Sequence, residues 1–189
     1  CRGTEPKQWS DLRADLSIDR VAPTSGVGRI HVGFRTYVHK LWPELRAHVL
    51  MGASRGKALW ITGHSLGAAM GTLVARECVL KEQLVVQALF TYGSPRVGDR
   101  LYGLQFDSLV THHRWVNDGD IVTKVPLPPF YYHTGTMHHI AADGTVRLDV
   151  TRKHPIFNII KILSGFGVAL LAKIVGDAKD HSIGLYEKH

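Results

Sequence analysis

The sequence predicts an alternating α/β protein with a mostly parallel sheet and helices on both of its faces, and three observations carry that prediction. Residues 57–82 read as a strand, a sharp turn and a helix. Residues 84–92 are a nearly continuous apolar run, the kind that parallel sheets bury on both faces. A helical pattern over 98–109 then precedes a strand pattern over 110–116. Strands that alternate with helices in this way are typical of a doubly wound sheet.

The composition fits a single domain. The chain has 189 residues, of which 44% are hydrophobic and 21% charged, so we expect one core spanning 1–189. The net charge of +7 favours anionic surfaces, but the basic residues are scattered, and we expect no nucleic-acid partner. Cys1 and Cys78 make no disulfide framework. The opening residues, CRGTEP, lack the apolar core of a signal peptide, as expected of a sequence that begins inside a domain.

The turn at residues 63–67 reads G-x-S-x-G. In this pattern the serine occupies a strained corner between strand and helix, and glycine is needed where the backbone approaches too closely for a Cβ. The small residues Gly67, Ala68, Ala69 and Gly71 would let the helix lie close to the sheet. Unpaired amides at its N-terminus favour a developing negative charge. We therefore predict Ser65 as a nucleophile and the amide of Leu66 as an oxyanion donor; the alternative is a glycine-rich turn with an idle serine.

A serine hydroxyl needs a base to take its proton, and the base needs a third group to orient it. With this corner the partners follow in the order serine, acid, histidine, each on a loop after a strand. Asp120 ends a polar loop after the 110–116 strand, and Asp118 is its rival. The candidate bases downstream are His181, His133 and His154. The polar setting of His181 in the last loop favours it over the other two.

We expect the remaining histidines to have structural rather than catalytic roles. We expect His31 and His39 to be packed or solvated. The adjacent pairs at 112–113 and 138–139 lie on predicted strands, where neighbouring side chains point to opposite faces. We therefore expect no shared metal at either pair. The second pair opens a predicted hairpin over 137–150, with its turn at Asp-Gly 143–144.

Residues 6–16 have apolar side chains at helical spacing, namely Trp9, Leu12 and Leu16. The pattern predicts a short amphipathic helix. Its apolar face either packs permanently on the core or covers an active site as a lid, and the pattern by itself favours permanent packing.

Residues 155–175 form the most apolar segment of the chain. Lys161 and Lys173 leave eleven uncharged residues between them, whereas a bilayer span needs about 20, so we predict no transmembrane helix here. Gly165 and Gly167 favour a break near the middle. We expect the segment to cover one side of the sheet; the alternatives are lining an acyl pocket or touching a lipid interface.

Six short motifs follow one another along nearly the whole chain. They are Arg2-Gly3-Thr4, Ile30-His31-Val32-Gly33-Phe34, Gly63-His64-Ser65-Leu66-Gly67, Tyr92-Gly93-Ser94-Pro95-Arg96-Val97-Gly98, the stretch from Asn117 through Asp120 to Pro126, and Asp180-His181-Ser182. In this order they resemble the motifs of the fungal-type (class 3) triacylglycerol lipases, which have the α/β-hydrolase fold. Six motifs in sequence are far more specific than any one of them.

The resemblance implies a role for particular residues. Ser65 would be the nucleophile, Asp120 the acid and His181 the base. Thr4 would be the second oxyanion donor, through its backbone amide and its hydroxyl, with Asp15 helping to orient that hydroxyl. The resemblance also reverses the preference at residues 6–16, because the family carries its lid there; Trp9, Leu12 and Leu16 would then belong to that lid.

The sequence departs from the family's pattern near its start. Cys1 stands where members usually have an aromatic or aliphatic residue. Members also usually carry several dozen residues before this point, including the first strands, so the predicted sheet would lack the family's N-terminal strands and leave one edge exposed.

The function implied is hydrolysis of acyl esters of the triacylglycerol kind, at an oil–water or membrane interface, with no metal or organic cofactor. Two alternatives stay open from the sequence. The same triad would serve a phospholipase, a galactolipase or a short-chain esterase. A lipid-binding module that has lost catalysis would carry the same motifs without the activity.

Overall fold

A five-stranded sheet forms the centre of the computed structural model, which describes residues 19–149. Within that range the strands are β1 (Arg20–Val21), β2 (Ile30–His31), β3 (Leu59–His64), β4 (Val86–Tyr92), β5 (His112–Asn117), β6 (Thr136–Ile140) and β7 (Val146–Asp149). The α-helices of the same range are α1 (Val32–Ser54), α2 (Leu66–Leu80) and α3 (Arg100–Leu109), and Val122–Lys124 is a 3-10 turn.

The sheet is mostly parallel, as the sequence predicts. Its strand order is β3-β4-β5-β6-β7; β3 to β6 run parallel, and β7 pairs antiparallel with β6. The hairpin predicted over 137–150 is the β6–β7 pair, with Gly144 at positive φ in its turn. The short strands β1 and β2 make a separate antiparallel pair. Because β3, β4, β5 and β6 are parallel, their carboxyl ends share one edge of the sheet.

The described helices pack on one face of this sheet. A Cβ on Gly71 of α2 would lie 3.4 Å from Ile61 and 3.6 Å from Leu89, so this helix lies close to β3 and β4. Phe34 and Val38 of α1 lie in one buried hydrophobic cluster with Ile61 and Leu89. On α3, the ring of Phe106 meets His112 of β5 edge-on, with 5.8 Å between centroids. Within residues 19–149, no helix is both long enough and apolar enough to cross a bilayer.

The turn predicted over 22–28 is held against α2 by hydrogen bonds. Thr24 Oγ1 donates to Glu77 Oε1 at 2.7 Å, and Arg76 Nη2 donates to the carbonyl of Val27 at 2.6 Å. The acceptor, Glu77, and the donor, Arg76, both lie on α2, far from the turn in sequence. The turn therefore fixes the start of the described chain to the helix that begins beside Ser65.

His31 and His39 are packed and solvated respectively, as predicted. His31 is 1% exposed, and its Nδ1 accepts a hydrogen bond from Gly33 N at 3.1 Å. That bond caps the N-terminus of α1, where backbone amides have no partners within the helix. His39 lies on the exposed side of the same helix.

His112 is buried and neutral within the core. Its Nε2 lies 2.8 Å from Thr91 Oγ1 and its Nδ1 lies 2.9 Å from Thr134 Oγ1. Burial, helped by the nearby charge of Arg114, lowers the pKa of His112 to about 3. The two hydroxyls satisfy both ring nitrogens without a charge, so the ring serves as a core side chain.

Lowering the pH below 6.5 is expected to destabilise the fold through His112. The pKa of an unfolded histidine is about 6.5, so between that value and the folded pKa only the unfolded chain binds the proton. The free energy of unfolding then falls by about 1.4 kcal/mol for each pH unit lost at this site, whereas above pH 6.5 the contribution is constant. Urea unfolding at pH 7, 6 and 5 measures this slope.

In a His112→Gln variant the free energy of unfolding should depend less steeply on pH, because the unfolded chain takes up one proton fewer. His39→Gln on the exposed side of α1 is the matched control for removing a histidine. An unchanged slope in His112→Gln would contradict the assignment of a neutral buried ring.

Candidate active site

Ser65 occupies the corner between β3 and α2, where the sequence predicts it. Its backbone angles, φ 57° and ψ −125°, lie outside the regions that residues other than glycine normally adopt. A conformation of this kind costs about 1–3 kcal/mol. Ser65 N donates to Tyr92 O at 3.0 Å and so ties the corner to β4. The residue is fully buried, and its Oγ has no hydrogen-bond partner among residues 19–149. A strained serine with an uncommitted hydroxyl is the arrangement expected of a nucleophile.

The backbone around Ser65 requires glycine, as predicted. A Cβ on Gly63 would lie 2.4 Å from the carbonyl oxygen of Gly67, closer than any side chain tolerates. Ala68 and Ala69 are both fully buried in the first turns of α2. The small side chains allow α2 to begin directly beneath the serine. Its first amides, including that of Leu66, are therefore close to Ser65.

Of the two candidate acids, Asp120 is buried and Asp118 is exposed. Asp120 is fully buried, and its Oδ1 accepts a hydrogen bond from Val122 N at 2.9 Å. The side chain of Asp118 is 60% exposed and pairs with His139 Nε2 at 3.1 Å. Because an orienting carboxylate must be held rigidly away from bulk water, burial favours Asp120. Its loop follows β5 at the same sheet edge as Ser65.

The loop that carries Asp120 is held by side chains from its neighbours. Arg96, on the loop after β4, donates from Nη1 to the carbonyls of Lys124 and Pro126, the latter at 3.0 Å. Its backbone amide donates to Val125 O at 2.9 Å. Burial lowers the pKa of Arg96 to about 10. In the sequence Arg96 is recognisable only as part of a motif, because its clamping role depends on a contact between two loops.

His133 is committed elsewhere and makes a poor candidate for the base. Its Nε2 lies 2.6 Å from the carbonyl oxygen of Thr123, an acceptor that requires the proton on that nitrogen. Burial, with the charges of Arg114 and Arg96, holds its pKa well below the usual range. His133 therefore supports the loop of Asp120, and of the three candidates only His154 and His181 stay open.

Several predicted site residues lie outside the described range. They are Thr4, Trp9, Leu12, Asp15, Leu16, His154 and His181, together with the whole 155–175 segment. The structure thus brings Ser65, the Leu66 amide and Asp120 to one sheet edge. The base, the second oxyanion donor and the lid remain predictions.

The prediction about the histidine pairs was right about the faces but incomplete. His112 points into the core, whereas His113 points to the other face of the sheet. There the Nδ1 atom of His113 lies 3.0 Å from the Nε2 atom of His138. Adjacency in the sequence does not reveal this partner, because β5 and β6 bring the two rings together in space. Strand alternation combined with the strand order would have found it. Within residues 19–149, no three potential metal ligands cluster.

A mostly parallel sheet with a buried serine on a strand-to-helix corner, followed by a carboxylate at the same edge, defines an α/β-hydrolase. The chain belongs to the class 3 lipase family, because the model of the family "Lipase (class 3)" matches residues 1–130.

Individual relatives agree with this assignment. The lipase of Rhizomucor miehei is 29% identical over 175 residues, which cover 82% of this chain and 48% of the relative. The solved complex of a deletion mutant of Rhizomucor miehei lipase with its propeptide is 30% identical, with a TM-score of 0.71 over 79% of this chain and 50% of that one. A triacylglycerol lipase whose catalytic centre is a serine protease triad has a TM-score of 0.67 and 26% identity, over 82% of this chain and 62% of that one. The chain thus spans about half to three fifths of the length of these relatives.

Proposed function

We propose that this chain hydrolyses carboxylic esters of lipids through an acyl-serine intermediate. The observation that carries the proposal is Ser65: buried, strained, at the start of a helix, with a hydroxyl that no described residue engages, in a chain of the class 3 lipase family. The similar triacylglycerol lipase with a serine protease triad supports the same chemistry. The proposed mechanism uses protein groups alone.

In the first half of the reaction, Ser65 Oγ attacks the acyl carbonyl while His181 takes the hydroxyl proton. The amides of Leu66 and Thr4 hold the oxyanion, and each such donor is worth about 2.7–4 kcal/mol of transition-state stabilisation. Asp15 orients the Thr4 hydroxyl. The alcohol then leaves with the proton from His181, and the acyl group stays on Ser65.

In the second half, water attacks the acyl-serine while His181 takes a proton from it. The carboxylic acid leaves as the proton returns to Ser65 Oγ. Asp120 orients the imidazole throughout and stabilises its charged form. The burial of Asp120 and its bond from Val122 N hold the carboxylate in one position for this role.

Labelling with a fluorophosphonate tests the nucleophile directly. We expect the probe to attach to Ser65 alone, as shown by mass spectrometry of the digested protein, and a Ser65→Ala variant to stay unlabelled. Ser108→Ala is the matched control, because its hydroxyl bonds to its own helix at Gln105 O. A protein whose Ser65 never reacts would instead be a lipid-binding module without catalysis.

Rates on emulsified and monomeric substrate distinguish the substrate classes. With a lid at residues 6–16, including Trp9, Leu12 and Leu16, the rate on a triacylglycerol should rise sharply once droplets form. A rate that follows substrate concentration smoothly through that point would indicate a plain esterase. Faster hydrolysis of phospholipid or galactolipid vesicles than of triacylglycerol droplets would assign those lipids as substrates.

Replacing Arg96 by methionine is expected to lower kcat by roughly 10- to 100-fold, because a catalytic group misplaced by about 1 Å costs about that much. Its three contacts with residues 124–126 are lost or weakened, and stability should fall by about 1–3 kcal/mol for the carbonyls left without a donor. The measurement is kcat and KM on a soluble ester, well below the unfolding temperature.

The Arg96→Lys variant restores one donor and should recover part of kcat. Arg46→Met is the control, since it removes an ion pair between the exposed side chain of Arg46 on α1 and Glu82, just after α2. A change confined to KM, or to stability, would argue against positioning of Asp120 by Arg96.

A further inference from the structure

An open groove lies at the amino edge of the sheet, where β3 and β4 begin. Its volume is about 570 Å³, and small-molecule sites typically measure about 300–1,000 Å³. The last turns of α1 line one side of it, and residues 56–59 and 84–87 line the other. Most of the lining side chains are apolar, namely Val49, Ala53, Ala58, Leu59, Leu84 and Val85.

The groove is separate from the edge that carries the candidate active site. β3 begins at Leu59, in the groove, and ends at His64, next to Ser65. A strand of this length extends for roughly 20 Å, so the groove and Ser65 lie at opposite ends of it. A ligand in the groove would therefore occupy a different place from a substrate at Ser65.

Gly52 contributes to the open space of the groove. It lies within α1, although glycine is a poor helix former. A Cβ on Gly52 would meet no neighbouring segment within 4 Å, so close packing does not require glycine there. The missing side chain instead leaves room in the groove that a larger residue would take.

The charge of the groove favours an anionic ligand. Lys57 and His48 line it, and none of the lining residues within 19–149 is acidic. Lys57 is exposed and takes no part in the ion pairs found among residues 19–149. Glu82, which precedes the 84–87 side, is paired with Arg46 at 2.6 Å. An apolar groove with an available cation fits a ligand that has one apolar chain and one negative head.

We propose that this groove binds a long-chain fatty acid as its carboxylate, with the chain along the apolar side chains and the head at Lys57. Each methylene group removed from water strengthens binding by up to about fourfold, whereas an exposed ion pair contributes roughly 1.4- to 5-fold. The chain thus supplies most of the affinity and Lys57 the preference for an anion. The binding requires no catalysis; that such an acid is also the product of this chain rests on the proposed function.

An NMR titration of the isotope-labelled full chain with dodecanoate, below its micelle concentration, tests the site. We expect saturable shifts at the backbone amides of Gly52, Gly56 and Val85. Octanoate should bind at least about tenfold more weakly at the same amides, because its chain is shorter. Dodecyltrimethylammonium, with the same chain and the opposite charge, should bind more weakly than dodecanoate.

Two substitutions test the chain and the head separately. Gly52→Trp fills the groove and should abolish the shifts at Gly56 and Val85. Leu101→Trp is its matched control, because Leu101 is 54% exposed near the start of α3 and should leave binding unchanged. Lys57→Glu should reverse the order of the two ligands, so that the ammonium binds more tightly than the carboxylate.

Shifts that follow these ligands and variants support the inference. Shifts confined to other amides, shifts that persist in Gly52→Trp, or equal binding of dodecanoate and dodecyltrimethylammonium to the wild type would overturn it. Fluorophosphonate labelling of Ser65 is measured separately. A labelled Ser65 without shifts in the groove contradicts this inference alone, and groove shifts with an unreactive Ser65 contradict the proposed function alone.

Discussion

A Ser65→Ala variant is expected to lose ester hydrolysis almost completely, with kcat falling by about 10⁶-fold, the scale of losing a triad nucleophile. In the proposed mechanism the hydroxyl oxygen of Ser65 becomes acylated, and no neighbouring group replaces it. Ser65 is fully buried at a corner fixed by the hydrogen bond from its backbone N–H to the carbonyl oxygen of Tyr92, and alanine fits that space. The fold should therefore survive the change, with an unfolding temperature close to that of the wild type.

The measurement is single-turnover and steady-state hydrolysis of a p-nitrophenyl ester of medium chain length. Ser108→Ala serves again as the control and should keep wild-type kcat. Residual activity in Ser65→Ala within tenfold of the wild type would contradict the assignment of Ser65, provided that the variant is folded. If Ser65→Ala loses both its activity and its folded state, the fluorophosphonate labelling decides the assignment, because it tests Ser65 in the unaltered chain.

An Asp120→Asn variant is expected to lower kcat by about 10⁴-fold, because an amide stabilises the wrong tautomer of the histidine and no longer stabilises its charged form. Asparagine preserves the volume, and its side-chain oxygen still accepts the bond from Val122 N that Asp120 Oδ1 accepts at 2.9 Å. The structural part of the residue's role is thus kept while the charge is removed. The effect should appear in kcat, with KM nearly unchanged.

Asp118→Asn is the matched control for the same chemical change two residues away. Its side chain is 60% exposed and pairs with His139 at 3.1 Å, so we expect kcat within about twofold of the wild type, as for surface substitutions. If Asp118→Asn were the damaging change and Asp120→Asn were mild, the acid would be Asp118, and the loop after β5 would have to turn its exposed side toward the serine.

Local features of this protein were predictable from the sequence. The strand before Ser65, the glycine at position 63 and the helix that follows depend on residues within a few positions of one another. The 137–150 hairpin and the helix over 98–109 are of the same kind. Their backbone preferences act over one turn or one strand, so periodicity and turn chemistry predict them without knowledge of the rest of the fold.

Contacts between distant segments were not predictable in this way. The sequence favours Asp120 as the acid and leaves Asp118 as its rival, but only packing decides that Asp120 is fully buried while Asp118 is 60% exposed. The partnership of His113 with His138 and the clamp of Arg96 on residues 124–126 both join separate loops or strands. Burial and cross-strand pairing depend on strand order and register, and no short window of sequence contains either.

By itself, then, the sequence determined the strand-to-helix corner at Ser65, the alternation of strands and helices, and the family to which the motifs belong. The tertiary structure decided which carboxylate is buried, which histidine is committed to a backbone carbonyl, and which ring lies against His113. The division has one physical reason. Backbone propensity and turn geometry are set by neighbours in the chain, whereas burial, and with it the availability of a charged or reactive group, is set by whichever distant segments pack around it.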